Sequence, residues 1–286
     1  MNKITFGYIV GGKDKHYNNL LRSIESLEKI SQPYNILVLD ADNRLDVNGL
    51  DNVKVIHFPV KNESNDDWFQ PHYWKMRYHL YEYLDTPYCF YMDTDTVIIN
   101  DRVDELIEES SEDFLICNHW WVPTLNDYIS NVRVSRTSSA KFISEPDKIP
   151  YVSSGLFLFQ KDKHNYIFEK FSENFNSIFE NVKSYNDIEG ITDEFILSVT
   201  LNETGGYKFT NGSMNHSSER EQMPMYFDED EKTFYGKNPQ DEEYKKVFAF
   251  HNDIQEIPTL SYFRDRQSDI TDSFIDNFKK VCYLEK

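Results

Sequence analysis

The chain has 286 residues, 39% of them hydrophobic and 15% aromatic, which suits a sizeable core in one large domain or two small ones and excludes a disordered acidic chain. Thirty Lys and Arg against 49 Asp and Glu leave a net charge of -19, which argues against broad electrostatic capture of nucleic acid or an anionic membrane. Cys89, Cys117 and Cys282 are scattered and odd in number, without zinc or disulfide spacing, so a reducing, cytoplasmic setting is expected; no apolar run approaches membrane length and no signal-like stretch follows Met1.

Ile4 to Val10 predicts a first buried strand ending at Gly11 and Gly12, where backbone without side chains can admit a nucleotide. Asp14 to Tyr17 follows as a loop. A helix is expected from about Asn18 to Ile30, with Leu20, Leu21, Ile24, Leu27 and Ile30 on its apolar face and Pro33 just past its end. Asn35 to Asp40 and Val53 to Phe58 read as the second and third strands. A helix from Pro71 to Asp85 is dense in aromatics and also carries Lys75, Arg77 and His79.

Two short apolar runs come next, Tyr88 to Met92 and Val97 to Ile99, with Asp93-Thr94-Asp95 between them. In an extended chain residues i and i+2 point the same way, so a strand ending here aims both carboxylates at one spot. Two like charges that close repel unless a cation joins them or one takes a proton. Hard oxygen ligands suit magnesium, manganese or calcium. A paired acid at the carboxyl end of a buried strand also sits where open α/β sheets hold their ligands. The plain alternative is a turn, which Asp favours at strand ends.

A short helix over Asp104–Glu109 and a strand over Asp113–Cys117 complete an alternating pattern, which implies an α/β fold with a mostly parallel, doubly covered sheet. Residues 120 to 150 are less regular. They hold the one locally basic region, Arg133, Arg136 and Lys141, while Trp120 and Trp121 beside His119 suit stacking on an acceptor sugar. Ser153-Ser154-Gly155 leads into a buried strand, Leu156 to Phe159. A helix from about Asn165 to Val182 comes next, then a helical stretch, Ile191 to Leu201, that opens with Asp193 and Glu194. Those two acids could simply cap that helix. Asn211 to Tyr244 reads as polar loops with a hairpin. Val247 to Phe250 is a short apolar run ending at His251, and Asp272 to Tyr283 as a terminal amphipathic helix.

Strand, helix, strand, a further helix and then aromatic-aromatic-Met-Asp-Thr-Asp-Thr-Val is an order that resembles the GT-A glycosyltransferases, nearest to the glycogenin and lipopolysaccharide galactosyltransferase group of family eight. Asp14 to Tyr17 with Ser23 to Leu27 resembles that family's first loop and helix, and Val103 to Leu106 its helix after the paired acids. Tyr151 to Phe159 is similar to its Asn-Ser-Gly-Val strand, with Ser153 for the usual Asn. Thr192-Asp193-Glu194 stands where the family carries an acid-rich helix start, often Asp-Gln, and His251 where its C-terminal metal-binding histidine falls. The resemblance spans residues 3 to 255.

It implies a single GT-A (Rossmann-like) domain over residues 1–260, divided into a nucleotide-binding half (1–118) and an acceptor and catalytic half (119–260), with a helical tail over 261–286. Asp93, Asp95 and His251 would hold a divalent metal, manganese or magnesium, bridging the diphosphate of a nucleotide-sugar, most simply a UDP-sugar. The donor site would comprise Val10, Gly11, Asp14, Tyr17, Lys75, Arg77, Asp93, Thr94, Ser154 and Gly155. Of these, Tyr17 and Asp14 would lie at the nucleobase, Asp93 near the ribose, Lys75 or Arg77 on the donor, and Ser154 and Gly155 at its sugar. Asp193 and Glu194 would be catalytic, holding sugar hydroxyls or acting as base if the reaction inverts. The sequence departs from the family after His251, where Asn252 to Pro258 replaces a Gly and a Lys-Pro-Trp; Arg264 or Arg266 could substitute for that lysine.

Three alternatives use the same residues. Asp-Thr-Asp-Thr-Val also fits the haloacid-dehalogenase phosphatases, with Asp93 as nucleophile and Asp95 as general acid, although that motif normally follows the first strand of its fold. A non-catalytic nucleotide-sugar or glycan-binding module would keep the fold without turnover. A third alternative keeps the chemistry but takes modified DNA or protein as acceptor, through the basic segment from Arg133 to Lys141.

Overall fold

The computed structural model describes residues 2–47, 52–60, 71–119, 122–131, 143, 145–179, 191–210, 215–217, 225–237, 242–251, 276–277 and 280. In chain order the elements are β1 (Ile4–Val10), α1 (Asp14–Ser26), β2 (Tyr34–Asp40), β3 (Val53–His57), α2 (Pro71–His79), β4 (Tyr88–Met92), β5 (Thr96–Ile98), α3 (Val103–Glu109), β6 (Phe114–Asn118), α4 (Leu125–Asn131), β7 (Val152–Gln160), α5 (Lys161–Phe179), α6 (Asp193–Thr204), β8 (Tyr207–Phe209), β9 (Asn215–Ser217), β10 (Met225–Asp228), β11 (Thr233–Gly236), β12 (Lys245–Lys246) and β13 (Ala249–His251).

One seven-stranded sheet runs β3-β2-β1-β4-β7-β6-β8. The pairs β1–β2, β2–β3, β1–β4 and β6–β8 are parallel, and β7 lies antiparallel to both β4 and β6. The expected mixed, mostly parallel sheet is therefore present, and it runs unbroken across residues 118 and 119. Successive residues of a strand face opposite sides, and β4 shows the result. Cys89 and Tyr91 enter one core with Met76, Tyr78, Phe157, Phe168 and Phe171, beneath α2, α5 and α6. Phe90 and Met92 enter the other with Tyr8, Leu20, Ile24, Leu106 and Phe248, beneath α1 and α3. Each such buried aromatic or aliphatic side chain contributes roughly 1.5–3 kcal/mol, so both faces hold the sheet in place. Two three-stranded sheets are appended, β5-β13-β9 and β10-β11-β12.

Several expected boundaries move. The segment from Asp14 to Tyr17 is the first turn of α1 and not a loop; Lys13 is extended, and the Asp14 carboxylate lies where a helix start favours negative charge. Both α1 and α2 tighten into 3-10 turns, Leu27–Lys29 and Leu80–Tyr83, where one continuous helix was expected. The terminal helix expected over 272–283 lies outside the described residues except for 276, 277 and 280, which are helical. Among the described residues no helix is long and apolar enough to cross a membrane.

Candidate active site

Parallel strands β1, β2, β4 and β6 end at one rim of the sheet, and the candidate residues gather there. Asp93 follows Met92, the last residue of β4. The Thr96 N–H donates to the Asp93 carbonyl at 3.1 Å, closing a turn through Thr94 and Asp95 before β5 departs. The acids therefore converge by turn geometry and not by strand alternation, which corrects the expectation from their spacing. β13 pairs antiparallel with β5 and sets His251 opposite Thr96. His251 Nε2 lies 3.5 Å from Asp93 Oδ2 and 3.4 Å from Asp95 Oδ1, and one ligand atom from each of the three residues falls within 4.8 Å of the others. Burial alone would lower the His251 pKa, but Asp95 and Asp93 outweigh it and hold the ring well above the usual histidine range. The same carboxylates would attract a metal ion, to which the ring gives its lone pair on losing the proton. Two hard carboxylates and an imidazole fit manganese or magnesium.

β7 overshoots the end of β4, and its register against β6 shifts between Ile116 and Cys117, leaving Ser154 and Gly155 beyond regular pairing. Gly155 is tied to the acid turn through its carbonyl, which accepts the Asp93 N–H at 2.8 Å. A Cβ at Gly155 would stand 2.2 Å from His251 Cε1, so the space expected to admit a donor sugar is filled by the histidine ring.

Arg77 links the acid turn to the start of α6. Its Nη1 lies 2.6 Å from Asp193 Oδ2 and donates to the Ser154 hydroxyl and carbonyl at 2.6 and 3.1 Å, while Nη2 is 3.6 Å from Asp93 Oδ1. Its guanidinium lies over the Tyr91 ring, whose hydroxyl donates to Asp93. Lys75, the other basic candidate on α2, is directed elsewhere. Its Nζ donates to Asn176 on α5 and lies over Phe175.

Asp193 and Glu194 open α6 but do not cap it. Thr192 does so, its hydroxyl accepting the Phe195 N–H at 3.1 Å. The carboxylates face different partners. Asp193 accepts from the Ser154 hydroxyl at 2.5 Å and pairs with Arg77; burial raises its pKa, and Arg77 offsets that only in part. Glu194 meets His119 Nε2 at 3.1 Å, accepts the Tyr151 hydroxyl at 2.8 Å and lies 3.4 Å from the Ser154 N–H. Burial acts upward there too, but His119 and the other donors bring it down to about 2.

At the ends of β1 and β2 the Tyr17 hydroxyl donates to Asp40 at 2.8 Å and Asp42 at 3.3 Å, with the Arg44 guanidinium 4.6 Å from its ring centre. Arg44 also donates to the Gly12 carbonyl and pairs with Asp14. The Val10 carbonyl accepts the Ala41 N–H, and a Cβ on Gly11 would stand 2.3 Å from Tyr73 Cε1, so Tyr73 of α2 occupies the space that glycine leaves. Trp120, Trp121, Arg133, Arg136, Lys141, Arg264 and Arg266 lie outside the described residues.

No protein-family model matches the chain, and no curated protein matches it. Solved structures do. The galactosyltransferase LgtC in complex with donor and acceptor sugar analogues superposes with a TM-score of 0.54 at 15% identity, over 96% of this chain and 99% of that one. An active-site variant of LgtC gives 0.53 at 16% identity over the same shares. The chain has the GT-A fold.

Around the rim of the sheet, the residues missed from sequence are Tyr91, His119, Tyr151, Asp42 and Arg44. Tyr91 carried a signal, since it lies two residues before Asp93 on a strand and so shares its face. His119 and Tyr151 carried none, because each reaches Glu194 from tens of residues away in sequence.

Proposed function

We propose that the chain is a metal-dependent glycosyltransferase that moves a sugar from a UDP-linked donor to a hydroxyl acceptor, a glycan by preference over protein or modified DNA. The observation that carries this is the meeting of Asp93, Asp95 and His251, brought from two distant segments by β4, β5 and β13 at the ligand-binding rim of a GT-A sheet. These three residues would hold the ion, and manganese suits one imidazole with two carboxylates. When bound, such an ion supplies Lewis-acid neutralisation for the departing diphosphate.

The remaining groups act through their own atoms. Arg77, buried and always charged, fixes Asp193 and Asp93 relative to one another. Asp193 has its Oδ2 engaged by Arg77 and Ser154, leaving Oδ1 to accept a sugar hydroxyl. Tyr17, Asp14 and Arg44 offer a ring, a carboxylate and a guanidinium to the nucleoside. Cys89 and Cys117 are both buried and scattered in the sequence, which accords with a reducing compartment, and we place the protein in the cytoplasm.

A thermal-shift measurement tests the proposal. UDP with manganese at a hundredfold excess over Kd should stabilise the chain by about 2.7 kcal/mol, and the gain should vanish with chelator and in Asp95→Ala. A wild-type chain indifferent to UDP, manganese and chelator alike ends the proposal.

A further inference from the structure

Resting on that glycosyltransferase reading, we infer that His119 is a positioning residue. It aims the Glu194 carboxylate and leaves it one acceptor site, turned toward the sugar of the donor. The geometry is over-determined. His119 follows the last residue of β6, and its backbone is held on both sides, N–H to the Tyr151 carbonyl and carbonyl to the Val122 N–H, each at 3.1 Å. Its ring stacks on Tyr151 with centroids 5.0 Å apart, and Tyr151 stacks in turn on Tyr128 at 4.3 Å. The plane of the imidazole is thereby fixed, and Nε2 is delivered 3.1 Å from Glu194 Oε1.

The same carboxylate receives the Tyr151 hydroxyl on Oε2 and faces the Ser154 N–H with Oε1. An ionised carboxylate offers about four lone-pair positions. Three are engaged by donors from the end of β6, the start of β7 and the overshooting stretch of β7. Among the described residues nothing engages the fourth, on Oε2. The Glu194 side chain is 24% exposed while Tyr151 beside it is 2% exposed, so the carboxylate keeps access to solvent next to a buried tyrosine. Its neighbour Asp193 answers to Arg77 and the Ser154 hydroxyl instead. Each of the adjacent acids thus meets a different nitrogen side chain, Arg77 for Asp193 and His119 for Glu194, while Ser154 touches both. A preorganised anion of this kind acts where positive charge gathers on a sugar as its bond to phosphate breaks.

The test uses the full chain with manganese, comparing His119→Ala, His119→Gln, Tyr151→Phe and Glu194→Gln for UDP release from a panel of UDP-sugars and for stabilisation by UDP with manganese. His119→Ala and Glu194→Gln should each lower kcat by about a hundredfold, with the nucleotide-dependent stabilisation unchanged. His119→Gln, whose amide can donate to the same oxygen, should recover most of kcat. Should His119→Ala fail to fold, the rescue by His119→Gln and a smaller loss in Tyr151→Phe decide the matter. The inference is overturned if His119→Ala keeps its kcat while Glu194→Gln loses it. It is equally overturned if His119→Gln is no better than His119→Ala, or if turnover and nucleotide stabilisation fall together. A wild-type chain that neither binds UDP with manganese nor turns over any UDP-sugar instead removes the glycosyltransferase reading, and this role with it.

Discussion

Gly155 shows how tightly single residues constrain the rim. A methyl group there would stand 2.2 Å from the His251 ring, and Gly155→Ala should cost about 1–3 kcal/mol through overpacking while displacing the imidazole from the acids. Calorimetric titration with manganese, expected to lose most of its heat in the variant, checks this. Glu194 makes a second prediction. Its folded pKa of about 2 lies below its ordinary 4.5, so its pairing stabilises the fold fully above that ordinary value and progressively less as pH falls toward 2. The melting-temperature gap between wild type and Glu194→Gln should therefore narrow as pH is lowered from 6 to 3, and a gap that widens contradicts the assignment. The meeting of Asp93 and Asp95 with His251 was anticipated from the order of motifs in the family resemblance, whereas the turn that joins the two acids was expected as strand alternation. Arg77 could not be told from Lys75. Two residues on a helix point about 200° apart, and α2 carries aromatic or apolar residues on every side, so its buried face was not marked.

At the scale of elements, the start of α6 is the most consequential joint. Thr192 satisfies a first-turn amide and thereby frees Asp193 to meet Arg77 and Glu194 to meet His119. Thr192→Ala should cost about 1 kcal/mol, seen as a lower urea midpoint at unchanged m-value, and should also weaken turnover because both acids lose their footing. The limits of β1 and β4 were readable to the residue, since continuous apolar runs bounded by Gly and Asp leave little choice. The break of α2 into a 3-10 turn was not. Leu80 to Leu84 keeps an apolar content compatible with either helix, and the choice is made by packing against β2 and α5.

For the molecule as a whole, two cores on opposite faces of one sheet carry the stability, and a net charge of -19 works against it. Screening should relieve that repulsion, so the melting temperature should rise between 10 and 150 mM salt, where the Debye length shrinks from about 30 to about 8 Å; a fall would mean that attractive surface pairs dominate instead. Fold class was legible at this scale from alternation alone. The placement of β7 between β4 and β6 was not, because antiparallel insertion leaves no local mark in composition.

The delivery of His251 on a strand lodged between β5 and β9 bears on how the protein is made. Synthesis from the amino end delivers the two aspartates more than 150 residues ahead of the imidazole, counting from Asp95 to His251. A nascent chain can begin to collapse around β1, β2 and β4, yet the proposed three-residue site is incomplete until residues 249–251 slot into place. Prematurely terminated products would carry the acids without the histidine of the proposed metal site.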